Sequence, residues 1–412
     1  MPELEEFLRP FTVTFAQRPS ATVLERYVSG LLTECPNKNC DTIAQVVPGT
    51  SEQQLQNLLT DMVWDEEDLN TQRIVQMRTL PTEGDAVLIL DDTGFPKQGK
   101  RSAGVQRQYS GTLGKTGNCQ VAVTCHYAER IVAWSLDARL YLPESWATDE
   151  EARRRSRVPE AVEFQTKPAI ALALLDEARS LGVPHRCVTT DADYGDKPPF
   201  LNALDERGER YVVAVAESFM VSGARSGPGL EASTLLLGEN RSAWVTLSWR
   251  EGSRGGKRAK LRALPLWRLD ADGAPHVGWL IWQRPARGQQ SEEKWRYYWS
   301  NFPAGMPLDW MVEYAHRRWW IEQYHEEAKQ LLGWDELQGR RYDAFHRHTV
   351  AVMLSYSFLV WLERRARGEV KRRGRRRRAF SPSAGSPAAH PARGTPGGSR
   401  LAPPGSAAHA YP

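Results

Sequence analysis

Ala86-Val87-Leu88-Ile89-Leu90-Asp91-Asp92-Thr93-Gly94 is an unbroken apolar run that stops on two acids. A strand covered on one face alternates apolar and polar residues, so an unbroken run predicts a strand buried on both faces. The pattern recurs downstream. A helical stretch over 168–182 leads into Cys187-Val188-Thr189-Thr190-Asp191, again an apolar run ending on an acid. Strand, helix and strand in this order predict a βαβ unit of an α/β fold, with acids delivered at the ends of neighbouring strands.

Outward from this unit the character of the chain changes four times. Residues 1–80 have helical periodicity, with Leu24, Tyr27, Val28, Leu31 and Leu32 at three- and four-residue steps behind Ser20 as the expected N-cap. Within them Thr42–Ser51 leads into Gln54–Leu59, two short helices across a turn. That pair reads equally as a helix-turn-helix that binds DNA or as an ordinary helical hairpin. Residues 81–205 hold the two strands with acids. Residues 206–304 alternate short apolar pieces, such as Tyr211–Val215 and Gly278–Trp282, with Gly- and Arg-rich turns, and predict a β-rich insertion. Helical periodicity returns over 305–365. Residues 366–412 are an arginine run followed by Pro, Ala, Gly and Ser, a composition that predicts disorder.

The net charge of +4 hides a lopsided distribution: Arg364–Arg378 carries +9 and residues 379–412 a further +2, so residues 1–363 sum to −7. Any surface of the body that attracts phosphate must therefore be a local patch. The chain has no apolar run of the ~18–20 residues a membrane span needs, and no signal-peptide pattern, so a cytoplasmic, nucleoid-associated protein without a membrane partner is expected. Its five cysteines make no CxxC pair and are read as reduced thiols.

Two acids on adjacent strands need a third to hold a pair of divalent ions, and Glu322 is the candidate. At about 100° per residue, Glu322, His325 and Lys329 fall within about 40° of Arg318, opposite a broad face that includes Trp320, Ile321, Tyr324, Ala328 and Leu331. The stripe suits a carboxylate that binds metal flanked by two cations that bind phosphate, but taken by itself it reads more readily as a solvated ladder of ion pairs. Glu326 is the runner-up on this wheel, and Glu327 points away.

Leu88–Lys97, Gly104–Gly111, Thr190–Gly195 and Arg317–Glu322 with Lys329 together resemble insertion-sequence transposases of the DDE superfamily, the insertion sequence seven-zero-one family in particular. The likeness runs in order from about residue 22 to 362. It implies a ribonuclease H-like catalytic core interrupted by a β-rich insertion, with Asp92, Asp191 and Glu322 as the catalytic triad holding two Mg²⁺ or Mn²⁺ ions. Arg318, Glu322 and Lys329 match the spacing of a Tyr-x2-Arg-x3-Glu-x6-Lys signature, whereas Tyr314 stands one residue too far from Arg318. The Asp-Thr pattern favours Asp92 over Asp91, and the acid directly after the second apolar run favours Asp191 over Asp193.

The implied activity is DNA transposition: hydrolysis at the ends of the element frees a 3′-OH, which attacks target DNA in line. Terminal inverted repeats and target DNA are then the partners, with a homodimer in the synaptic complex. Lys97, Arg101 and Arg107, with Lys100 and Lys115, are expected to bind DNA beside Arg318 and Lys329. The insertion's Trp244, Trp249, Trp282 and Trp299 are candidates for stacking on an unpaired base. Gly94–Lys100 falls short of a P-loop, because Arg101 stands where a hydroxyl is needed. The alternative function is an inactive or truncated transposase that binds DNA as an inhibitor, and the abrupt change at residue 366 suggests translation in a shifted frame.

Overall fold

The structure is a computed structural model, and it describes every residue except 1, 16–17, 113, 237–243, 251–255, 270–273, 286–294 and 380–412. The chain begins with α1 (Pro2–Leu8), a 3-10 turn, and α2 (Arg18–Leu31). Ser20 therefore lies inside a helix that starts two residues earlier, rather than capping it. The expected helix pair is α3 (Cys40–Val46), capped by Asn39, and α4 (Glu52–Leu59), where Ser51 and Gln54 form a reciprocal capping box. Helix α5 (Glu66–Met77) follows, with Asp65 accepting from the amides of Glu67 and Asp68. No strand precedes Val87 among the described residues.

The first sheet holds β1 (Val87–Pro96), β2 (Gln106–Ser110), β3 (Lys115–Ala128) and β4 (Ala133–Leu140). Beyond them come α6 (Glu144–Thr148), α7 (Glu150–Arg155), the crossover helix α8 (Lys167–Ser180) and β5 (Cys187–Thr190). Strand β1 lies between β3, antiparallel along its full length, and β5, parallel over Val87–Leu90 only. It does not stop at the acids, as its apolar run suggested. It continues to Pro96 beside β3, and what ends at Leu90 is the pairing with β5. Leu88 and Leu90 pack into the main core, while Val87 and Ile89 pack on the other face with Tyr314 and Ile321. Burial on both faces explains the unbroken run, at roughly 1.5–3 kcal/mol for each large side chain.

After β5 come α9 (Ala192–Gly195) and α10 (Pro198–Glu206), then a seven-stranded sheet from β6 (Val212–Val215), β7 (Met220–Ser222), β8 (Leu230–Glu231), β9 (Val245–Arg250), β10 (Gly256–Leu269), β11 (Pro275–Pro285) and β12 (Arg296–Ser300). This is the expected β-rich stretch. Tyr211, just before β6, bridges in parallel to Val188 of β5, so the second sheet begins beside the first. Gly195 sits where an added Cβ would collide with the carbonyl of Ala214, which lets α9 lie directly on β6.

The helices α11 (Leu308–His316), α12 (Trp319–Gln330) and α13 (Tyr342–Ala379) are the last elements among the described residues. Residues Met1–Arg365 form one unit, and the early helices share its core: Phe7 packs on Phe358 and Trp361. Arg73 of α5 is fully buried, donating to Asn70, to the carbonyls of Ser135 and Leu136, and to Ser357 of α13. Helix α13 runs to Ala379, past residue 366 where disorder was expected to begin, and 380–412 lie outside the described residues.

Candidate active site

Asp91 and Asp92 are consecutive on an extended strand, so their side chains leave opposite faces of the sheet. Asp91 follows Ile89 towards α12, where Arg318 Nη1 lies 3.1 Å from its Oδ2. Asp92 follows Leu90 towards α8, where Lys167 Nζ lies 3.0 Å from its Oδ2 and the Tyr194 hydroxyl donates at 3.4 Å. Asp191 caps α9 by accepting from the Asp193 amide at 3.0 Å, one residue beyond the Leu90–Thr190 pairing. Cys125 and Thr124 of β3 stand opposite Leu90 and Asp91, and β3 carries a register shift against β4 at Cys125/His126. Such bulges re-aim side chains next to sites.

Arg318 joins this group to the third acid. Its Nη2 donates to Glu322, one turn along α12, while its Nη1 holds Asp91. Burial raises the Asp91 pKa well above the ordinary carboxylate range, and repulsion from Asp191 adds to it. Asp191 is raised in the same way by burial and then by Asp193. Burial alone would depress Arg318, but attraction to Asp91, Glu322 and Asp191 raises its pKa instead. These are crowded carboxylates short of positive charge.

His325 and Lys329 of the stripe do not form a solvated ladder. His325 is buried, its Nε2 lying 3.1 Å from Thr124 Oγ1, and burial holds it well below the usual histidine range. Lys329 points at β1, donating to Thr93 Oγ1 at 2.7 Å, to the Gly94 carbonyl at 2.8 Å and to Thr112 Oγ1 at 3.1 Å. Burial lowers its pKa to about 8. The sheet offers polar acceptors at this end, so His325 and Lys329 pack inward while Glu322 stays exposed, and Leu331 of the supposed core face is 59% exposed.

Asp191, Arg318 and Glu322 line a cavity of about 760 Å³ together with Glu217, Trp295 and Tyr298. Of the four insertion tryptophans, Trp282 and Trp299 are fully buried and have no free face. Trp244 is half-buried and packs edge-on against Trp295, and the side chain of Trp249 lies outside the described residues. Lys97 donates to the Leu337 carbonyl at 2.9 Å, whereas Arg101 and Arg107 are exposed. Lys167, Tyr194 and Trp295 escaped the sequence reading. Tyr194 lies in the Thr190–Gly195 block without having been singled out there, whereas Lys167 and Trp295 reach the site only through the folding of distant segments.

Hard oxygen donors crowded beside two adjacent strand ends suit a divalent cation in kind. No three His, Cys, Asp or Glu side chains converge on one point among the described residues. Lys167 pairs with Asp92, and Arg318 with Asp91 and Glu322.

The sequence matches the family described as DDE superfamily endonuclease over residues 7–256, and the family described as Transposase DDE domain over residues 165–358. It is 27% identical over 319 residues to a protein of Microchaete diplosiphon named as a probable transposase for insertion sequence element IS701. The alignment covers 76% of this chain and 75% of that relative. The first match contains Asp92 and Asp191, and the second Asp191 and Glu322.

Proposed function

Because the chain belongs to the DDE superfamily, within a family of transposases, we propose that it cleaves the ends of a mobile DNA element and joins them to target DNA. The observation that carries this reading is the meeting of β1, β5 and α12: Asp191 follows β5 directly beside the acids of β1, and Arg318 ties that pair of strands to Glu322. The sheet order β4/β2-β3-β1-β5, with β6 beyond, is read as a ribonuclease H-like core, and the early helices as a DNA-binding element.

Asp92, Asp191 and Glu322 would hold two Mg²⁺ or Mn²⁺ ions, which when bound lower the cost of charge on the attacking and departing oxygens. The chain's own work is positional. With the acids engaged as ligands, Lys167 would give up Asp92 and Arg318 would give up Glu322. Arg318, still paired with Asp91, could then offer Nη2 to a phosphate oxygen, and Lys329 could reach one only by giving up Thr93 or Thr112. In the first step water attacks phosphorus and the bond to the 3′-oxygen breaks, with a proton returning to that oxygen. In the second, the freed 3′-OH attacks a target phosphodiester and displaces its 3′-oxygen. Synapsis of two ends argues for a homodimer.

Strand cleavage of a duplex carrying the element's end, with Mg²⁺ or Mn²⁺, tests the reading. Asp92→Ala, Asp191→Ala and Glu322→Ala should each reduce the rate on the order of a thousandfold or more, since each removes several kcal/mol of charge stabilisation. Full activity in any of the three removes that residue from the site. Binding of the end without cleavage by the unaltered chain supports an inhibitor instead.

A further inference from the structure

Away from the acids, three segments distant in sequence meet edge to edge. The Ala103 amide donates to the Arg340 carbonyl at 2.9 Å, the Tyr342 amide to the Ser156 carbonyl at 2.8 Å, and the Ser156 hydroxyl to the Arg101 carbonyl at 3.5 Å. Each segment brings cations: Lys100 and Arg101 from the loop after β1, Arg154 and Arg157 from the end of α7, Arg340 and Arg341 from the loop before α13. The carboxylates that touch this group are Asp61 and Asp343. Asp61 is shared, with Arg157 and Arg341 each 2.9 Å from the same oxygen, and Asp343 pairs with Arg341. Lys100, Arg101, Arg154 and Arg340 are exposed, and no carboxylate pairs with them among the described residues.

A helix dipole accounts for arginines in the last turn of α7, but not for Lys100, Arg101 and Arg340, which lie in loops. Arg157 sharpens the point. Helix α7 ends in a Schellman pattern, with the Val158 amide donating to the Arg153 carbonyl and the Arg157 amide to the Arg154 carbonyl. The residue after the cap in that motif takes a left-handed conformation and is usually glycine. Among the described residues Arg157, at φ 52°, is the one non-glycine residue with positive φ. A strained backbone carries a guanidinium where glycine would fit better.

We infer that this three-segment patch is a second contact surface for the phosphate backbone of duplex DNA, separate from the acid site. Strand β1 links the two: it carries Asp92, ends at Pro96 about 13 Å further along extended chain, and leads into the loop that bears Lys100 and Arg101. Residues 1–363 sum to −7, so attraction to DNA by the body depends on such a concentration of charge. The inference rests on the DNA reading above, yet its test needs no catalysis.

The test is the salt dependence of binding of the full chain to a duplex of about 30 base pairs, without divalent metal, since each phosphate contact contributes about 0.9 to the slope of log K against log salt. Arg101→Ala/Arg154→Ala/Arg157→Gly/Arg340→Ala should lower that slope by up to about three to four and weaken binding most at low salt. Arg157→Gly alone should lower it by about one while leaving the fold intact, because glycine relieves the left-handed backbone. An unchanged slope in both variants overturns the inference. Binding is read without divalent metal and without cleavage, so failure of the unaltered chain to cleave and failure of the patch are read separately.

Discussion

Lys167 Nζ lies 3.0 Å from Asp92 Oδ2 although 75 residues separate them in sequence. The pair is partly exposed, with side chains 29% and 20% accessible, so it is modest in strength and can be exchanged. On the proposed reading, lysine and a divalent cation compete for one carboxylate.

Lys167→Met should therefore shift the midpoint of a Mg²⁺ or Mn²⁺ titration of end cleavage to a lower concentration, by about three- to tenfold, the equivalent of roughly 1 kcal/mol. A midpoint that moves upward would mean that Lys167 builds the site rather than guards it.

Asp91 and Asp191 both have pKa values raised above the ordinary 3.8, by burial first and like charge second. Between the ordinary and raised values the folded chain holds protons that the unfolded chain releases, so stability from these groups falls as pH rises through that interval. A cation bound among the acids offsets that loss. The rise in Tm caused by Mg²⁺ should be larger near about pH 8 than near about pH 5. Equal rises at both pH values would place the binding elsewhere.

Arg73 is fully buried, makes no salt bridge among the described residues, and holds the Ser135 and Leu136 carbonyls by hydrogen bonds. Arg73→Met leaves those acceptors unpaired in the core and should cost about 3 kcal/mol or more, read from urea unfolding. Arg73→Lys should not restore the loss, because an ammonium cannot reproduce the planar fork. A cost below about 1 kcal/mol would show that water takes over the carbonyls.

The strands bearing acids were legible because burial on both faces writes itself into the sequence as an unbroken apolar run. The choice between Asp91 and Asp92 was not, since a run of residues gives order but not the face each one takes. The coordinates put one carboxylate towards Arg318 and the other towards Lys167. Parallel Asp91→Asn and Asp92→Asn variants in the cleavage assay would assign the ligand. The helical wheel found that Arg318, Glu322, His325 and Lys329 share a direction. A wheel measures angle but not depth, so it could not foresee that Thr124, Thr93 and Gly94 offer acceptors that draw His325 and Lys329 inward. Lys167 was out of reach for a different reason: only the crossover through α8 brings it back to β1.

The core that Phe7 and Arg73 share with Phe358 and Ser357 has a consequence for inheritance. A shortened reading frame that kept α1–α5 but lost α13 would leave Phe7 and Trp361 without each other, and Arg73 facing a void. The early helices are not a cassette that recombination can lift out and graft beside another enzyme. A change in the early helices is felt in the same core as the helix that bears Glu322, so the two parts must evolve as one.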